Sequence, residues 1–205
     1  VLGPTAAGLD PTQLDNPIAH SPSIERIAVA LGVFLRYLWL LVLPVSLSAD
    51  YSYNQIPVYP SLIHPVPILG FLMLSGIIVL AIKYRKKSPV SLLALILFLF
   101  PYLLVSNLFY PVGTIMGERL LYIPAAGYAL FAAAAFAPYF ARKYTPAYCV
   151  FGLILLLFAV KTIARNRDWY DDYTLFSADL KKSPRSVKIL TNLGFLTGKK
   201  GRIEE

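Results

Sequence analysis

The stretch "SLLALILFLFPYLLVSNLF", residues 91–109, decides the fold class of this chain. Placed on a helix it is apolar on every side, and it lacks the alternating pattern of a membrane β-strand. The stretch "AYCVFGLILLLFAVKTIA", residues 147–164, has the same character. Because roughly 20 apolar helical residues cross a hydrocarbon core about 30 Å thick, both stretches predict membrane helices.

The whole chain has the composition of an integral membrane protein. Of its 205 residues, 57% are hydrophobic and 15% are charged, which is far from the balance of a soluble domain. We predict an all-α fold, in which a loop at 1–25 precedes a polytopic helical membrane bundle and a tail begins at residue 165. The segments apolar and long enough to cross a bilayer, or nearly so, are about 26–47, 66–84, 89–109, 120–140 and 147–164.

The first of these segments allows two interpretations. Arg36 lies near its middle, where a charge costs about 2.5–3.5 kcal/mol on insertion scales, and Pro44 lies near its end. Either the segment spans with Arg36 turned into the bundle, or "SIERIAVALGVFL" lies along the interface and only part of the remainder enters the membrane.

Two short basic connections predict the orientation. "KYRKKSP" follows the second segment and "ARKYTP" follows the fourth, and short loops rich in Lys and Arg stay cytoplasmic. Connections 48–65 and 110–119 and the tail then face the other side, which is the periplasm or an organelle lumen. Arg165 and Arg167 oppose this orientation, although folded domains cross regardless of their charge.

The tail has the pattern of a helical repeat. Pro184 separates two helix signals, and "NLGFLTGKKGRIEE", residues 192–205, has the spacing of the first helix and turn of a tetratricopeptide repeat. In such a repeat Gly194 would allow close helix packing and Gly201 would turn the chain. Since one repeat cannot bury its own apolar face, we expect a truncated start of a repeat array.

Two polar loops beside the membrane hold the candidate site. The first contains "SADYSYNQIP", residues 48–57, and the second contains "NLFYPVGTIMGERLLYIPAAGY", residues 107–128. Interfacial tyrosines and loop prolines explain much of both without any activity. The pair Glu118 and Arg119 is harder to explain in that way, because charge at membrane depth is costly and is often retained for a substrate path.

These stretches, taken in order, resemble the transmembrane and tetratricopeptide-repeat-containing (TMTC) family. The resemblance rests on "DNPIA", "RYLWLLVLPVSLSADYSYNQIP", "FPYLLVSNLFYPVGTIMGERLLYIPAAGY" and "ARNRDWYDDYTLFSADLKKSP", followed by the repeat start. It implies the C-terminal part of a GT-C-type membrane domain, as in O-mannosyltransferases of the endoplasmic reticulum. We therefore expect part of an enzyme that transfers a sugar, mannose first, from a polyprenyl or dolichyl phosphate to protein hydroxyls on the non-cytoplasmic face.

The resemblance also implies roles for residues of the two loops. Arg119 would bind the donor phosphate, since a guanidinium binds phosphate oxygens in bidentate fashion, and Glu118 would orient it or hold a divalent cation. The residues expected to line the sugar or acceptor side are Asp50, Tyr51, Tyr53 and Asn54, with Tyr122 as a further candidate for donor or substrate binding.

No catalytic residue is assigned by the sequence. GT-C enzymes generally place their catalytic acid in the first non-cytoplasmic loop, upstream of these residues, so we expect no activity from this stretch alone. Asp50 is a candidate for a general base, with a contact or loop-structuring role as its main alternative.

Other titratable residues do not predict a metal site. Asp168, Asp171 and Asp172 form an acidic cluster, which the start of a helix explains better than a metal. His20 and His64 are isolated in the sequence. No cofactor is predicted beyond the lipid-linked sugar itself.

A membrane-anchored scaffold that recruits protein partners without catalysis is the alternative function. Arg165 and Trp169 would in either case join the last span to the repeat segment. Expected partners are membrane lipid, the lipid-linked donor and an acceptor protein held by the repeats. Nucleic acid is not expected, because the basic residues are not interleaved with base-stacking aromatics.

Overall fold

The computed structural model describes residues 11–84, 89–199 and 201, and within these ranges the chain is helical with no β-strand, as predicted. The described helices are α1 Pro11–Asp15, α2 Ser23–Val42, α3 Pro65–Tyr84, α4 Pro89–Val105, a 3₁₀ turn at Glu118–Leu121, α5 Tyr122–Ala141, α6 Thr145–Asp168, α7 Asp172–Leu180 and α8 Val187–Lys199.

Within the described residues, three stretches are long and apolar enough to cross a membrane. They are Pro65–Lys83 in α3, the 3₁₀ turn together with α5, and α6. Helix α4 is apolar but has 17 residues, slightly short of the roughly 20 that a bilayer requires. Helix α2 is not among the candidate spans, and its Arg36 is exposed instead of being turned toward the other described helices.

Two helices end earlier than their predicted segments. Helix α2 ends at Val42 and α4 ends at Val105, whereas the segments were expected to reach residues 47 and 109. Pro44 follows the first end, and a proline disfavours helical geometry in the residue before it. Asn107 follows the second end with a left-handed φ of 60°, a conformation that a continuing α-helix excludes.

Aromatic side chains form the centre of the bundle. The ring of Tyr102 on α4 lies 5.2 Å from that of Phe34 and 6.0 Å from that of Tyr37, both on α2. Phe98 stacks on Tyr102 with centroids 6.2 Å apart. Such pairs add to the free energy gained by burying the rings, so α2 and α4 are fixed against each other beside the candidate site.

Helices α4 and α5 form the most extensive helix contact among the described elements. Gly127 makes this possible, because a Cβ atom there would lie 2.5 Å from the backbone N of Phe98 and 2.6 Å from the carbonyl O of Ala94. Small residues at such positions let membrane helices approach closely. The contact between these helices therefore depends on Gly127 having no side chain.

We expect Gly127→Ala to lower the free energy of unfolding by about 1–3 kcal/mol, the usual cost of overpacking. Gly152→Ala on α6 is the matched control, since a Cβ there meets no atom within 4 Å and alanine favours a helix. The measurement is thermal stability of the full-length protein in detergent. Equal melting temperatures for the two variants would contradict the proposed close approach.

Helices α7 and α8 pack together after the last span. Gly201 has a left-handed φ of 73°, which suits the turn expected there. No described atom lies within 4 Å of the position of a Cβ on Gly194, so the close packing expected of Gly194 is not present within the described ranges. The tetratricopeptide repeat itself stays a prediction.

Parts of three sequence predictions lie outside the described residues. They are the opening loop at 1–10, the basic residues Arg85–Lys87 of the predicted cytoplasmic connection, and residues 200 and 202–205 of the predicted repeat.

Candidate functional site

Two connections and the α7 and α8 pair meet at one end of the bundle. The 43–64 connection joins α2 to α3, and the 106–117 connection joins α4 to the 3₁₀ turn. Ser48 in the first connection contacts Glu118, and the neighbouring Ala49 contacts Asp179 of α7. The polar loops that the sequence singled out therefore lie together beside the segment that follows the last span.

Tyr37 of α2 holds the residue that precedes the 3₁₀ turn. Its buried hydroxyl accepts a hydrogen bond from the Gly117 N–H at 2.9 Å and donates one to the Gly117 carbonyl at 3.1 Å. Both backbone groups of Gly117 are thus paired with one side chain. These hydrogen bonds fix the direction in which the 3₁₀ turn leaves the core. They therefore also fix the backbone position of Glu118 and Arg119, which follow Gly117.

Glu118 binds the 43–64 connection. Its Oε1 atom accepts a hydrogen bond from the Ser48 N–H at 2.7 Å and one from the Tyr51 hydroxyl at 2.6 Å. Burial raises the pKa of the Tyr51 phenol far above its usual range, and the nearby Glu118 carboxylate raises it further. Tyr51 therefore stays protonated as a donor, and it serves to hold Glu118.

Arg119 and Tyr122 instead lie at the surface. Arg119 is exposed and Tyr122 is 85% exposed. Successive residues of a 3₁₀ helix are about 120° apart around its axis, so a Glu118 that points inward directs Arg119 elsewhere. The ion pairs between described residues do not include Arg119. No contact supports the expectation that Glu118 orients Arg119, and that role stays a prediction.

Asp179 is the central residue of the contact between the membrane helices and α7. It is fully buried, its Oδ2 atom accepts a hydrogen bond from the Ala49 N–H at 2.7 Å, and its Oδ1 atom lies 2.7 Å from Nη1 of Arg165 at the end of α6. The same Nη1 atom lies 2.9 Å from Asp168. Arg165 thus makes the link between the last span and the following segment that the sequence predicts.

Asp50 also belongs to this contact. Its Oδ2 atom accepts hydrogen bonds from the Ser52 N–H at 2.8 Å and from the Ser186 hydroxyl at 2.7 Å. The hydroxyls of Ser52 and Ser186 lie 3.2 Å apart. Asp50 therefore makes contacts that structure the loop, and its role as a general base stays a prediction.

Tyr53 and Asn54 contact the start of α8 through their backbone atoms. The Tyr53 carbonyl accepts a hydrogen bond from the Val187 N–H at 2.6 Å, and the Asn54 N–H donates to the Arg185 carbonyl at 2.9 Å. These two backbone hydrogen bonds join the 43–64 connection to the residues at and just before the start of α8. The structure groups both residues with Asp50, and their predicted role toward a sugar stays a prediction.

Two buried asparagines hold the 106–117 connection, and neither was predicted as a site residue. Asn16, in the "DNPIA" stretch, donates through its amide to Oδ1 of Asn107 at 2.9 Å and to the Val112 carbonyl at 2.7 Å. The same Oδ1 atom accepts from the Val112 N–H at 2.8 Å, and the Asn107 amide donates to the Thr114 carbonyl at 3.1 Å. This pair connects the N-terminal part of the chain to the loop that leads to Glu118.

The acidic cluster divides into two parts. Asp171 caps α7 by accepting a hydrogen bond from the Thr174 N–H at 2.7 Å, and Asp172 lies in the first turn, as the helix-start explanation predicts. That explanation is wrong for Asp168, which ends α6 and pairs with Arg165 and, at 3.5 Å, with Lys182. Two basic partners, three and fourteen residues away in the sequence, explain Asp168 better than a helix dipole does.

The remaining candidates are less connected. Trp169 is exposed, with its ring centre 5.8 Å from the Arg165 guanidinium carbon, a distance compatible with a cation–π contact. His64 packs on the ring of Tyr59 at 4.8 Å. Within the described ranges no three His, Cys, Asp or Glu side chains are placed to hold a metal ion together.

Comparison with known proteins identifies the relatives of the chain. The family model described as "Protein O-mannosyl-transferase TMTC, DUF1736" matches residues 10–78. The human protein named Protein O-mannosyl-transferase TMTC3 is 32% identical over 189 residues, covering 89% of this chain and 21% of the relative. No solved structure matches the chain significantly.

Two invertebrate relatives agree with this assignment. Protein O-mannosyl-transferase Tmtc3 of Drosophila melanogaster is 31% identical over 95% of this chain, and Protein O-mannosyl-transferase F38B6.6 of Caenorhabditis elegans is 31% identical over 93%. The chain spans between about a fifth and about a quarter of the length of these relatives. The sequence identity to these relatives extends along most of this chain, and its helices are apolar enough to cross a membrane. The chain therefore belongs to the transmembrane and tetratricopeptide-repeat-containing family.

Proposed function

We propose that this chain is part of a membrane protein O-mannosyltransferase, which transfers mannose from a polyprenyl or dolichyl phosphate to hydroxyls of an acceptor protein. The names of the relatives support mannosyl transfer to protein. The short basic connections support a site on the non-cytoplasmic side, in the endoplasmic reticulum or a bacterial inner membrane. The 43–64 and 106–117 connections and the α7 and α8 pair would then face that side.

The exposed guanidinium of Arg119 carries the proposal. It lies at the start of a membrane-spanning stretch, where the phosphate of a lipid-linked donor would be. Glu118 is engaged by Ser48 and Tyr51, and the ion pairs of the described ranges leave Arg119 without a carboxylate. A phosphate would therefore not compete with a partner acid for this side chain.

The reaction explains why a cation is needed at this place. An acceptor hydroxyl oxygen would form a bond to C1 of the mannose while the bond between C1 and the phosphate oxygen breaks. The phosphate leaves with the electron pair and gains negative charge, which a fixed guanidinium stabilises in the transition state. The hydroxyl proton passes to a base, and we assign no residue of this chain to that role.

Glu118 would act in this scheme by positioning Arg119. Its two hydrogen bonds fix the 3₁₀ turn to the 43–64 connection, so the guanidinium starts from a rigid backbone. Tyr122, one helical turn further and exposed, would contact the donor or the acceptor with its ring. Within the proposal, Glu118 would alternatively bind a divalent cation, with its carboxylate as the protein ligand.

The test is transfer of radiolabelled mannose from dolichyl-phosphate mannose to endogenous protein, by the full-length protein in membranes at matched expression. We expect Arg119→Ala to lower the initial rate about tenfold or more, because charge-assisted hydrogen bonds contribute about 1.5–3 kcal/mol. Arg142→Ala, at the opposite end of α5 and also exposed, is the matched control and should transfer normally.

The other outcomes separate the alternatives. Equal transfer by Arg119→Ala and wild type would remove Arg119 from the donor site while keeping the enzyme. Absence of transfer by wild type with any polyprenyl-phosphate sugar would favour the scaffold. The hydrogen bonds that tie the 43–64 connection to α8 suit a scaffold as well, since they hold the following segment against the membrane.

A further inference from the structure

A second cationic place lies at the same end of the bundle, and its lining does not include Glu118 or Arg119. A cavity of about 170 Å³ opens between the end of α6 and the start of the 43–64 connection. Phe158, Lys161, Arg165 and Asn166 of α6 line it, together with Leu47 of the connection. One end of this lining is apolar and the other is polar and cationic.

Lys161 supplies a positive charge that no acid of the described ranges neutralises. Its Nζ atom donates a hydrogen bond to the Val45 carbonyl at 2.7 Å, and it takes part in no ion pair between described residues. An ammonium group has three N–H donors. Two of them remain for a ligand, on a side chain whose position is already fixed by the first.

Arg165 adds donors but little net charge. Its side chain is 9% exposed, and one nitrogen, Nη1, makes both the pair with Asp179 and the pair with Asp168. No hydrogen bond between described residues uses its Nε or Nη2 atom. The acids compensate the charge of Arg165, so the anion attraction of the cavity comes chiefly from Lys161.

The order of residues along α6 matches the depth profile of a lipid. Lys161 lies seven residues before the end of α6 at Asp168, which is about 10 Å along the axis, and Phe158 lies about 4.5 Å deeper. A lysine near the end of a span extends its charge toward the interface. A ligand with a phosphate at Lys161 and an apolar chain along Phe158 would therefore satisfy both ends of the cavity.

We propose that this cavity binds the phosphate group of a membrane lipid. Lys161 would be its main cation and the Asn166 amide a further donor, while Leu47 and Phe158 contact the beginning of the lipid chain. Free phosphate would gain nothing from the apolar end. The ligand is either an anionic phospholipid or a polyprenyl phosphate, which share this chemistry, and the proposal does not depend on the proposed function.

The experiment measures lipid binding to the full-length protein in phosphatidylcholine nanodiscs, doped with either phosphatidic acid or dolichyl phosphate, by native mass spectrometry of the retained lipid. We expect Lys161→Gln to lower the affinity about fivefold, the effect of one basic residue near an anionic surface. Lys188→Gln is the control, because Lys188 is an exposed lysine paired with Asp15 far along the sequence.

Leu47→Trp provides an independent variant that changes no charge. The indole ring of the tryptophan would fill the cavity and should also reduce the amount of lipid retained. Leu47→Met, which is close to leucine in size, is the control. If the two variants lose both lipids, the cavity is a general lipid-phosphate site. If they lose one lipid alone, that lipid is the ligand of the cavity. Unchanged retention of both lipids in folded Lys161→Gln and Leu47→Trp would overturn the proposal.

Discussion

The Asp179→Asn variant of the full-length protein is expected to lose about 3 kcal/mol in free energy of unfolding. Asp179 is fully buried and pairs with Arg165 at 2.7 Å. Removing one partner of a buried pair costs about 3–5 kcal/mol, because the other charge stays buried without compensation. Asp168 still pairs with Arg165 in the variant, so we expect the lower end of this range.

The matched control for this variant is Asp15→Asn, in which the same chemical change is made at the surface. Asp15 pairs with Lys188 at 2.9 Å, and the two side chains are 44% and 49% exposed. An exposed pair contributes about 0.2–1 kcal/mol. The measurement is the fraction of protein that stays monodisperse after heating in detergent. Equal midpoint temperatures of this loss for the two variants would show that the buried pair contributes little to the free energy of unfolding.

A double variant tests whether charge is the cause. Arg165→Met combined with Asp179→Leu removes both charges and puts apolar side chains in their place, and apolar replacements of buried pairs are often neutral or stabilising. We expect the double variant to regain part of the stability that Asp179→Asn loses, although the Ala49 N–H loses its acceptor. A double variant that is less stable than the single would assign the loss to packing of α7.

The membrane helices could be predicted because their signal is local. Each apolar segment is contained in a window of about 20 residues, and its length and composition are sufficient to identify a helix. The ends of α2 and α4 were predicted too far along the chain. Hydropathy continues past Val42 and Val105, and the backbone is turned there by Pro44 and Asn107, which a hydropathy pattern does not register.

The contacts of the candidate site were less predictable, because they join residues far apart in sequence. Glu118 stood out as a charge at the membrane boundary, but its partners Ser48 and Tyr51 lie 70 and 67 positions away. Asp179 was missed although a signal existed. It is an acid between Ala178 and Leu180 in the stretch "LFSADL" of α7, and Arg165 lies near the end of a span. Either charge is costly to bury without the other.

Asn107→Ala is expected to destabilise the full-length protein by about 3 kcal/mol or more. Asn107 is 3% exposed, and its side chain pairs with the Asn16 amide, the Val112 N–H and the Thr114 carbonyl. Each buried group left without a partner costs about 1–3 kcal/mol. Asn107 also has a φ of 60°, where alanine is less favourable than asparagine by about 1–2 kcal/mol.

Asn107→Gly separates these two causes. Glycine adopts a positive φ without steric cost but makes none of the side-chain hydrogen bonds, so we expect it to remain less stable than wild type by about 2 kcal/mol or more. Asn54→Ala is the control, since Asn54 is exposed and its backbone N–H donates to the carbonyl of Arg185, just before α8. Wild-type stability in Asn107→Gly, measured by heating in detergent, would assign the effect to backbone conformation alone. A loss clearly larger than the roughly 0.5–1 kcal/mol that glycine costs in backbone entropy would show that the asparagine pair holds the loop leading to Glu118, because the variant lacks the side-chain groups that bind Asn16, Val112 and Thr114.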